Sequence, residues 1–507
     1  MNKVLSAAAF FIFALFIVPG LSSASDRFDQ FDFEMKGEVT DVITEDIDQD
    51  GLMEAIVIHV DKTMDPPGRY MTIFPQHPEK GFDKSLKIEW TFPKEVAAVD
   101  VGDVSAESGK ELVFITEDGV AYARVHGGKV GKLQHLIDAT SVVAIAYERG
   151  VPYYNFVWDY TGDGLDDLLV VGFGESTFVK GNEYYKMDAR SIHLRPGMDV
   201  QAWDVGKLLG DSEHPVFHVS YHVPEIYAED TDADGKPDLV VSHGGKLWFY
   251  KQGKDGFSKR PTSVHKIQVF EEATGGRGGR GHPLQMAYKD LDDDGYMDLV
   301  VTQRQGTFGD MKSRTLLFRG NTGSMAKGIP DQEFVYDDHV MVVFIVDVNG
   351  DNKPDLVMPT MELSAWGAGK VLFTGGMNVR WHYFIQKPDG SYPDKADWAS
   401  NTSLKFSIGK LRLEAGIPNV FGDFNGDGYP DQAVGADKDV LRISLKGPDG
   451  GDLGVHEDVN LPVSMFNRTV DMNGDGKSDL IVHYEDMNED NNIVHILLNK
   501  GDWKVSN

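Results

Sequence analysis

Asp290-Leu-Asp-Asp-Asp-Gly-Tyr-Met-Asp298, running straight into Leu299-Val-Val301, decides the architecture of this chain. Acids stand at the first, third, fifth and ninth places, glycine at the sixth, and a β-rich apolar run follows the last acid. Asp230-Thr-Asp-Ala-Asp-Gly-Lys-Pro-Asp238 before Leu239-Val-Val241 repeats the pattern. Further versions start at Asp46, Asp103, Asp159, Asp347, Asp423 and Asp471, so successive copies lie 57, 56, 71, 60, 57, 76 and 48 residues apart. Self-similarity at such a period signals a solenoid, an array or a propeller.

The residues between the motifs choose among these. Short apolar runs follow each last acid, as in Leu168-Leu-Val-Val171 and Leu480-Ile-Val482, and a turn leads to a second alternating stretch such as Lys246-Leu-Trp-Phe-Tyr250. The stretch before each motif is strand-like as well, for example Val342-Val-Phe-Ile-Val346. Four strands in about 60 residues, without a convincing amphipathic helix, is the content of a propeller blade. Unbroken apolar runs fit strands covered on both faces, as when blades stack. The expected fold is therefore all-β, an eight-bladed β-propeller, with seven blades as the alternative because the Asp103 motif is degenerate and the last interval is short. The segment Phe28 to Met35 is expected to pair with the last blade and close the ring, removing free sheet edges.

Acids at alternate places of a tight loop converge on one centre, and a sixth-place glycine permits the sharp turn. Calcium takes six to eight oxygens at about 2.3 to 2.6 Å, so these loops are read as calcium sites. The candidate ligands are Asp46, Asp48, Asp50 and Glu54; Asp103, Glu107 and Glu111; Asp159, Thr161, Asp163 and Asp167; Asp230, Asp232, Asp234 and Asp238; Asp290, Asp292, Asp294 and Asp298; Asp347, Asn349, Asp351 and Asp355; Asp423, Asn425, Asp427 and Asp431; and Asp471, Asn473, Asp475 and Asp479. The competing reading of each is a solvated acidic turn. An EF-hand is excluded, since it needs a longer loop ending in Glu between helices. Up to eight calcium ions in a structural role are expected, because saturated loops leave no position for substrate.

Asp423-Phe-Asn-Gly-Asp-Gly-Tyr-Pro-Asp431 and Asp471-Met-Asn-Gly-Asp-Gly-Lys-Ser-Asp479 resemble the repeats called VCBS or FG-GAP, the unit of integrin-alpha-type propellers. The resemblance extends over essentially the whole of residues 25–507, which are read as one domain. It implies that each acidic loop joins the innermost strand of a blade to the next and holds Ca²⁺.

Residues 1–24 read as a secretory signal peptide: Lys3, an apolar stretch from Val4 to Val18, and a small-residue end at Ala24. An uncleaved anchor is the alternative, although the apolar run is short for a bilayer span. Export to the periplasm or cell surface is expected, with no later transmembrane segment. The chain has no cysteine, so disulfides cannot staple it. Its 49 basic and 80 acidic residues give −31, or −32 once Lys3 is lost, a charge that would repel a phosphate backbone and argues against nucleic acid as partner. The first, third, fifth and ninth places of the eight motifs account for 27 of the 80 acids. One divalent cation in each would halve the excess, to −16.

Strand alternation puts the second-to-third strand turns and the blade entries on the face opposite the acidic loops, and functional sites concentrate on such loops. That face is expected to hold residues 60–69 with Arg69, 173–185 with Phe178, 305–313, 360–369 with Trp366, 484–492, and the glycine-arginine loop with Arg277, Arg280 and His282. Two guanidiniums in an acidic protein suit carboxylates of an anionic glycan or acidic partner, while the bland reading is a flexible connector. The aromatics Trp381-His-Tyr-Phe384 and the pair His218 and His222 are better read as structural. No serine nucleophile elbow, HExxH pair or phosphate-cradling glycine loop occurs, so no catalytic residue is assigned. The expected function is a binding or adhesion module for a glycan or an extracellular or periplasmic protein. The rivals are a carbohydrate-active enzyme such as a polysaccharide lyase, and a structural subunit of an exported assembly.

Overall fold

Every acidic motif is a turn between two antiparallel strands of one sheet. The computed structural model describes residues 27–503 apart from 147–149, 182–187, 195, 204–215, 271–283, 307–310, 362–375, 408–411, 414–419, 438, 449, 463–465, 485–490 and 502. The proposed signal peptide thus lies outside the described residues. In blade 1, Glu38–Glu45 precedes the Asp46 motif, Glu54–Asp61 follows it, and Gly68–Phe74 and Ile88–Thr91 complete a four-stranded sheet in that order. Five further four-stranded sheets, within 96–138, 157–192, 225–266, 285–336 and 420–459, repeat this arrangement around their own motifs, and a six-stranded sheet within 339–413 extends it around the Asp347 motif. The eighth is built from Phe466–Val470, Asp479–His483 and Ile493–Asn499, with Phe28–Glu34 as its outermost strand. Phe28 pairs with Asn499 and Glu34 with Ile493, so the chain's first described strand closes the ring in antiparallel register with its last.

Eight blades, not seven, form the ring. The degenerate Asp103 motif still separates Val96–Gly102 from Glu111–Thr116 and so still makes a blade. A further hairpin, Gly197–Trp203 with Val216–His222, is inserted between blades 3 and 4, which accounts for the long 71-residue interval. Among the described residues the only helical elements are Ser324–Lys327 and the single 3₁₀ turn Lys84–Leu86.

The core is distributed between blades. Ile56, Ile58, Met71 and Ile73 of blade 1 pack with Val99, Leu112 and Phe114 of blade 2. The closing contact unites Phe33, Ile481 and Val494 of blade 8 with Val39, Val57 and Phe74 of blade 1. Each second strand is therefore covered on both sides, and Glu54–Val60 is buried at every position. This is why these strands read as unbroken apolar runs.

The antiparallel order puts all eight acidic loops, together with the third-to-fourth strand turns, on one face. Second-to-third strand turns and blade entries lie on the other.

Candidate metal centres

The loops are organised first by their own backbone. In seven of them the first-place aspartate accepts the N–H of the fifth residue on one oxygen and that of the sixth on the other. For Asp46 these are Asp50 at 3.0 Å and Gly51 at 2.9 Å; for Asp423 they are Asp427 at 3.1 Å and Gly428 at 2.7 Å. The fifth-place acid then accepts from the seventh N–H, as Asp475 does from Lys477 at 2.9 Å. The sixth residue is left-handed throughout these seven, including Asn352 at φ 63°, a conformation asparagine tolerates.

The fourth place is left-handed too, which the sequence pattern did not disclose. Gly162, Gly350, Gly426 and Gly474 adopt it freely, whereas Gln49, Ala233 and Asp293 hold it with a side chain. The recurring Gly-Asp-Gly and Asn-Gly-Asp-Gly spellings were the available signal.

All eight ninth-place acids are buried: Glu54, Glu111, Asp167, Asp238, Asp298, Asp355, Asp431 and Asp479 are each at most 5 % exposed. In blades 5 to 8 one oxygen accepts the second loop residue's N–H and the other accepts the N–H of a residue at the end of the third strand. Asp479 does so from Met472 at 2.8 Å and Asn499 at 2.7 Å, and Asp355 from Val348 and Gln386, both at 2.9 Å. Sequence alone presented the ninth acid as a ligand; it is also the bolt between loop and blade. Burial, reinforced by the neighbouring loop acids, pushes Glu54, Asp431 and Asp479 up to about 7 and Asp355 up to about 6.

Carboxylate oxygens of Asp46, Asp48 and Asp50 lie within 4.8 Å of one another, as do those of Asp230, Asp232 and Asp234 and of Asp290, Asp292 and Asp294. That is the span of oxygens sharing one cation at about 2.3 to 2.6 Å, and ionised carboxylates keep lone pairs beyond those given to N–H groups. In the Asp46 loop the donor chemistry fits a hard divalent cation, whereas Lys251 already pairs with Asp232 and Asp238, and Arg319 with Asp292 and Asp298. The Asp103 loop does not fit: Arg124 enters it, contacting Ser105 and Glu107 and donating through Nε to Glu111 at 3.0 Å, so a guanidinium fills its centre.

The ligand candidates fare unevenly. Arg69 is a correction: it is 4 % exposed, and its guanidinium donates to the carbonyls of Val96 at 2.7 Å, Pro93 at 2.8 Å and Lys94 at 3.1 Å. It clamps blade 1 to blade 2 rather than facing a partner. Arg69→Ala should cost about 3 kcal/mol in urea unfolding, because buried carbonyls lose charged donors; a loss below about 1 kcal/mol would refute the clamp. Arg277, Arg280, His282 and Trp366 lie outside the described residues. Phe178 is in the strand Ser176–Lys180, buried against Phe257, not in a loop. Trp381 is fully buried and donates to Thr402 Oγ1 at 2.8 Å, in keeping with a core role.

Sequence reasoning missed Asp100. Its buried carboxylate accepts from Val101, Phe156 and Val157, joining blade 2 to the entry of blade 3, and burial pushes it up to about 7.

A ring of eight such blades with acidic first turns defines a class, the repeat propellers. Residues 290–358, from the acidic turn of blade 5 into blade 6, match the model of the FG-GAP-like repeat, within a ring of eight blades. Comparison with curated proteins finds no sequence match. Among solved structures it is similar to an Agrocybe aegerita lectin that recognises non-reducing terminal N-acetylglucosamine, with 13 % identity over 75 % of this chain and 96 % of that one at a TM-score of 0.37. It is similar to the dihydro-heme d1 dehydrogenase NirN, with 10 % identity over 84 % and 68 % at 0.39, and to the V. cholerae biofilm matrix protein Bap1, with 13 % over 91 % and 78 % at 0.27. Likenesses at these levels carry nothing about activity.

Proposed function

We propose that the chain is an exported binding module whose ring is stabilised by calcium in its acidic loops and whose ligand face is the opposite one. The observation that supports this reading most directly is an aromatic pair on that opposite face. Phe173, in the turn between Asp167–Val170 and Ser176–Lys180, is 56 % exposed, and Tyr221, in the inserted hairpin, is 46 % exposed. Their rings meet edge to face at 5.2 Å and 84°. Such a pair gives a rigid apolar platform with a polar tip, suited to the C–H faces of a sugar or to an apolar partner side chain. No helix among the described residues is long and apolar enough to cross a membrane.

A panel of polysaccharides, scored for binding and for new unsaturated ends, tests the proposal. Saturable binding without turnover is expected. Phe173→Ala with Tyr221→Ala should weaken it at least about tenfold, the scale of a hot-spot loss. Turnover would establish the lyase reading instead, and unchanged affinity in the double variant would remove the platform from the site.

A further inference from the structure

We infer that the ring divides into two contiguous arcs: blades 2 to 5 supply the cation of their acidic loops from their own chain, while blades 6, 7, 8 and 1 depend on bound metal. The inference deepens the calcium reading above and rests on it.

What separates the arcs is one cross-strand position. In each blade the ninth-place acid begins the second strand, and the residue facing it ends the third. Register pairs Leu112 with Ala123, Leu168 with Val179, Leu239 with Tyr250 and Leu299 with Phe318, which sets Arg124, Lys180, Lys251 and Arg319 opposite the acids of blades 2, 3, 4 and 5. Pairs Leu356 with Phe384, Gln432 with Ser444, Leu480 with Leu497 and Ala55 with Phe74 set Ile385, Leu445, Leu498 and Pro75 opposite those of blades 6, 7, 8 and 1. Four cationic residues fall in consecutive blades, and four uncharged ones in the rest of the ring.

The cationic side chains reach into the loops. Lys251 Nζ sits 2.6 Å from Asp232 and 2.8 Å from Asp238, between the third and ninth places. Arg319 spans the same two places, at 2.5 Å from Asp298 and 3.5 Å from Asp292. Arg124 joins the third, fifth and ninth places of its loop, and Lys180 Nζ lies 2.8 Å from the fifth-place Asp163. A calcium ion bonded to those oxygens would have to share their centre with an ammonium or guanidinium, which space and like charge both oppose. Among the described residues, no Lys, Arg or His pairs with a first-, third-, fifth- or ninth-place carboxylate in the Asp46, Asp347, Asp423 or Asp471 loops. The metal-dependent arc therefore contains the seam where Phe28–Glu34 meets Ile493–Asn499.

The test is the calcium stoichiometry of the purified mature chain, by native mass spectrometry and by calorimetric titration with calcium alone. Four ions per chain are expected. Five or more, or one to three, would overturn the partition while leaving the calcium reading intact; none would overturn that reading itself. Lys251→Gln should raise the number to five, and a count that stays at four would overturn the substitution of lysine for metal. Leu498→Lys should lower it to three. Because Leu498 is buried and the variant risks misfolding, hydrogen exchange of the parent chain with and without chelator gives an independent readout. Exchange should rise in 38–61, 344–361, 420–437 and 466–483. An equal rise in 230–238 and 290–298 would overturn the partition.

Discussion

Adding a chelator to the purified mature chain should lower its thermal midpoint by about 10 to 20 °C, and restoring calcium should recover it. The magnitude follows from mass action: an ion bound only by the fold contributes about 2.7 kcal/mol at a free concentration a hundredfold above its dissociation constant, and several loops add. Without the ion the Asp46, Asp347, Asp423 and Asp471 loops each leave three or four carboxylates in one short turn, and with no cysteine the chain has no disulfide to compensate. Calorimetry would settle it, since a midpoint indifferent to chelator is incompatible with metal staples.

The same experiment has a pH dependence with a definite sign. Glu54, Asp431 and Asp479 sit at about 7 and Asp355 at about 6 in the metal-free fold, above the usual value of about 4 for an exposed carboxyl. The metal-free fold therefore holds protons that the unfolded chain releases, and its stability falls as pH rises from about 4 through about 7. Buried His59 and half-buried His382 and His483, lowered to about 4 by desolvation, act in the opposite sense and lose stability as pH falls from about 6.5. Calcium competes with the carboxyl protons and not with the histidines. The gain on adding calcium should thus be small at pH 5 and largest at pH 8; a gain that shrinks over that range would contradict the assignment.

Asp479→Ala should be the most damaging single change among the loop acids of the closing blade, costing about 3 to 5 kcal/mol. Its carboxylate is fully buried and serves both Met472 N–H and Asn499 N–H, so alanine strands two buried donors at about 1 to 3 kcal/mol each. Asn499 lies on the strand that holds Phe28–Glu34, and its side chain donates to the carbonyls of Phe424 at 2.6 Å and Ser478 at 3.2 Å. Loss of the carboxylate loosens blade 8 from blade 7 and from the ring's first strand together. Urea unfolding, with proteolysis mapping the first cut, measures the effect. Asp471→Ala, with both variants compared in excess chelator, offers the contrast: its partners Asp475 N–H and Gly476 N–H are exposed and turn to water. Equal losses in the two variants would show that burial is not the reason.

Blade number and strand order were legible because each blade repeats a short pattern whose physics is local: alternating acids, a left-handed turn, then a doubly covered strand. The closing strand was legible for the same reason, since FDQFDFEM alternates like its neighbours. Arg69 was misread because residues 60–69 were read together as one turn on the open face. It belongs to Gly68–Phe74, on the face of Met71 and Ile73, and that alternation was the cue to its burial. The arrangement of basic residues was beyond reach for a different reason. Arg124 and Lys251 lie 13 residues from the acids they face and Arg319 lies 21, across a turn whose length varies between blades, so only the register identifies them.

The seam has a consequence for how this protein comes into being. Asp32 and His495, bonded at 2.7 Å across it, are 463 residues apart, and no intermediate length of chain completes the ring. Until the last strands arrive, Phe28–Glu34 is an unpaired edge and the inner face of blade 1 is uncovered, an arrangement that favours misassembly. Folding with such distant pairing is slow. A polypeptide of this kind tolerates being threaded unfolded through a membrane pore, since it has little to gain from folding early. Under the export and calcium binding proposed above, arrival of the final strand and access to the ion would coincide on the far side.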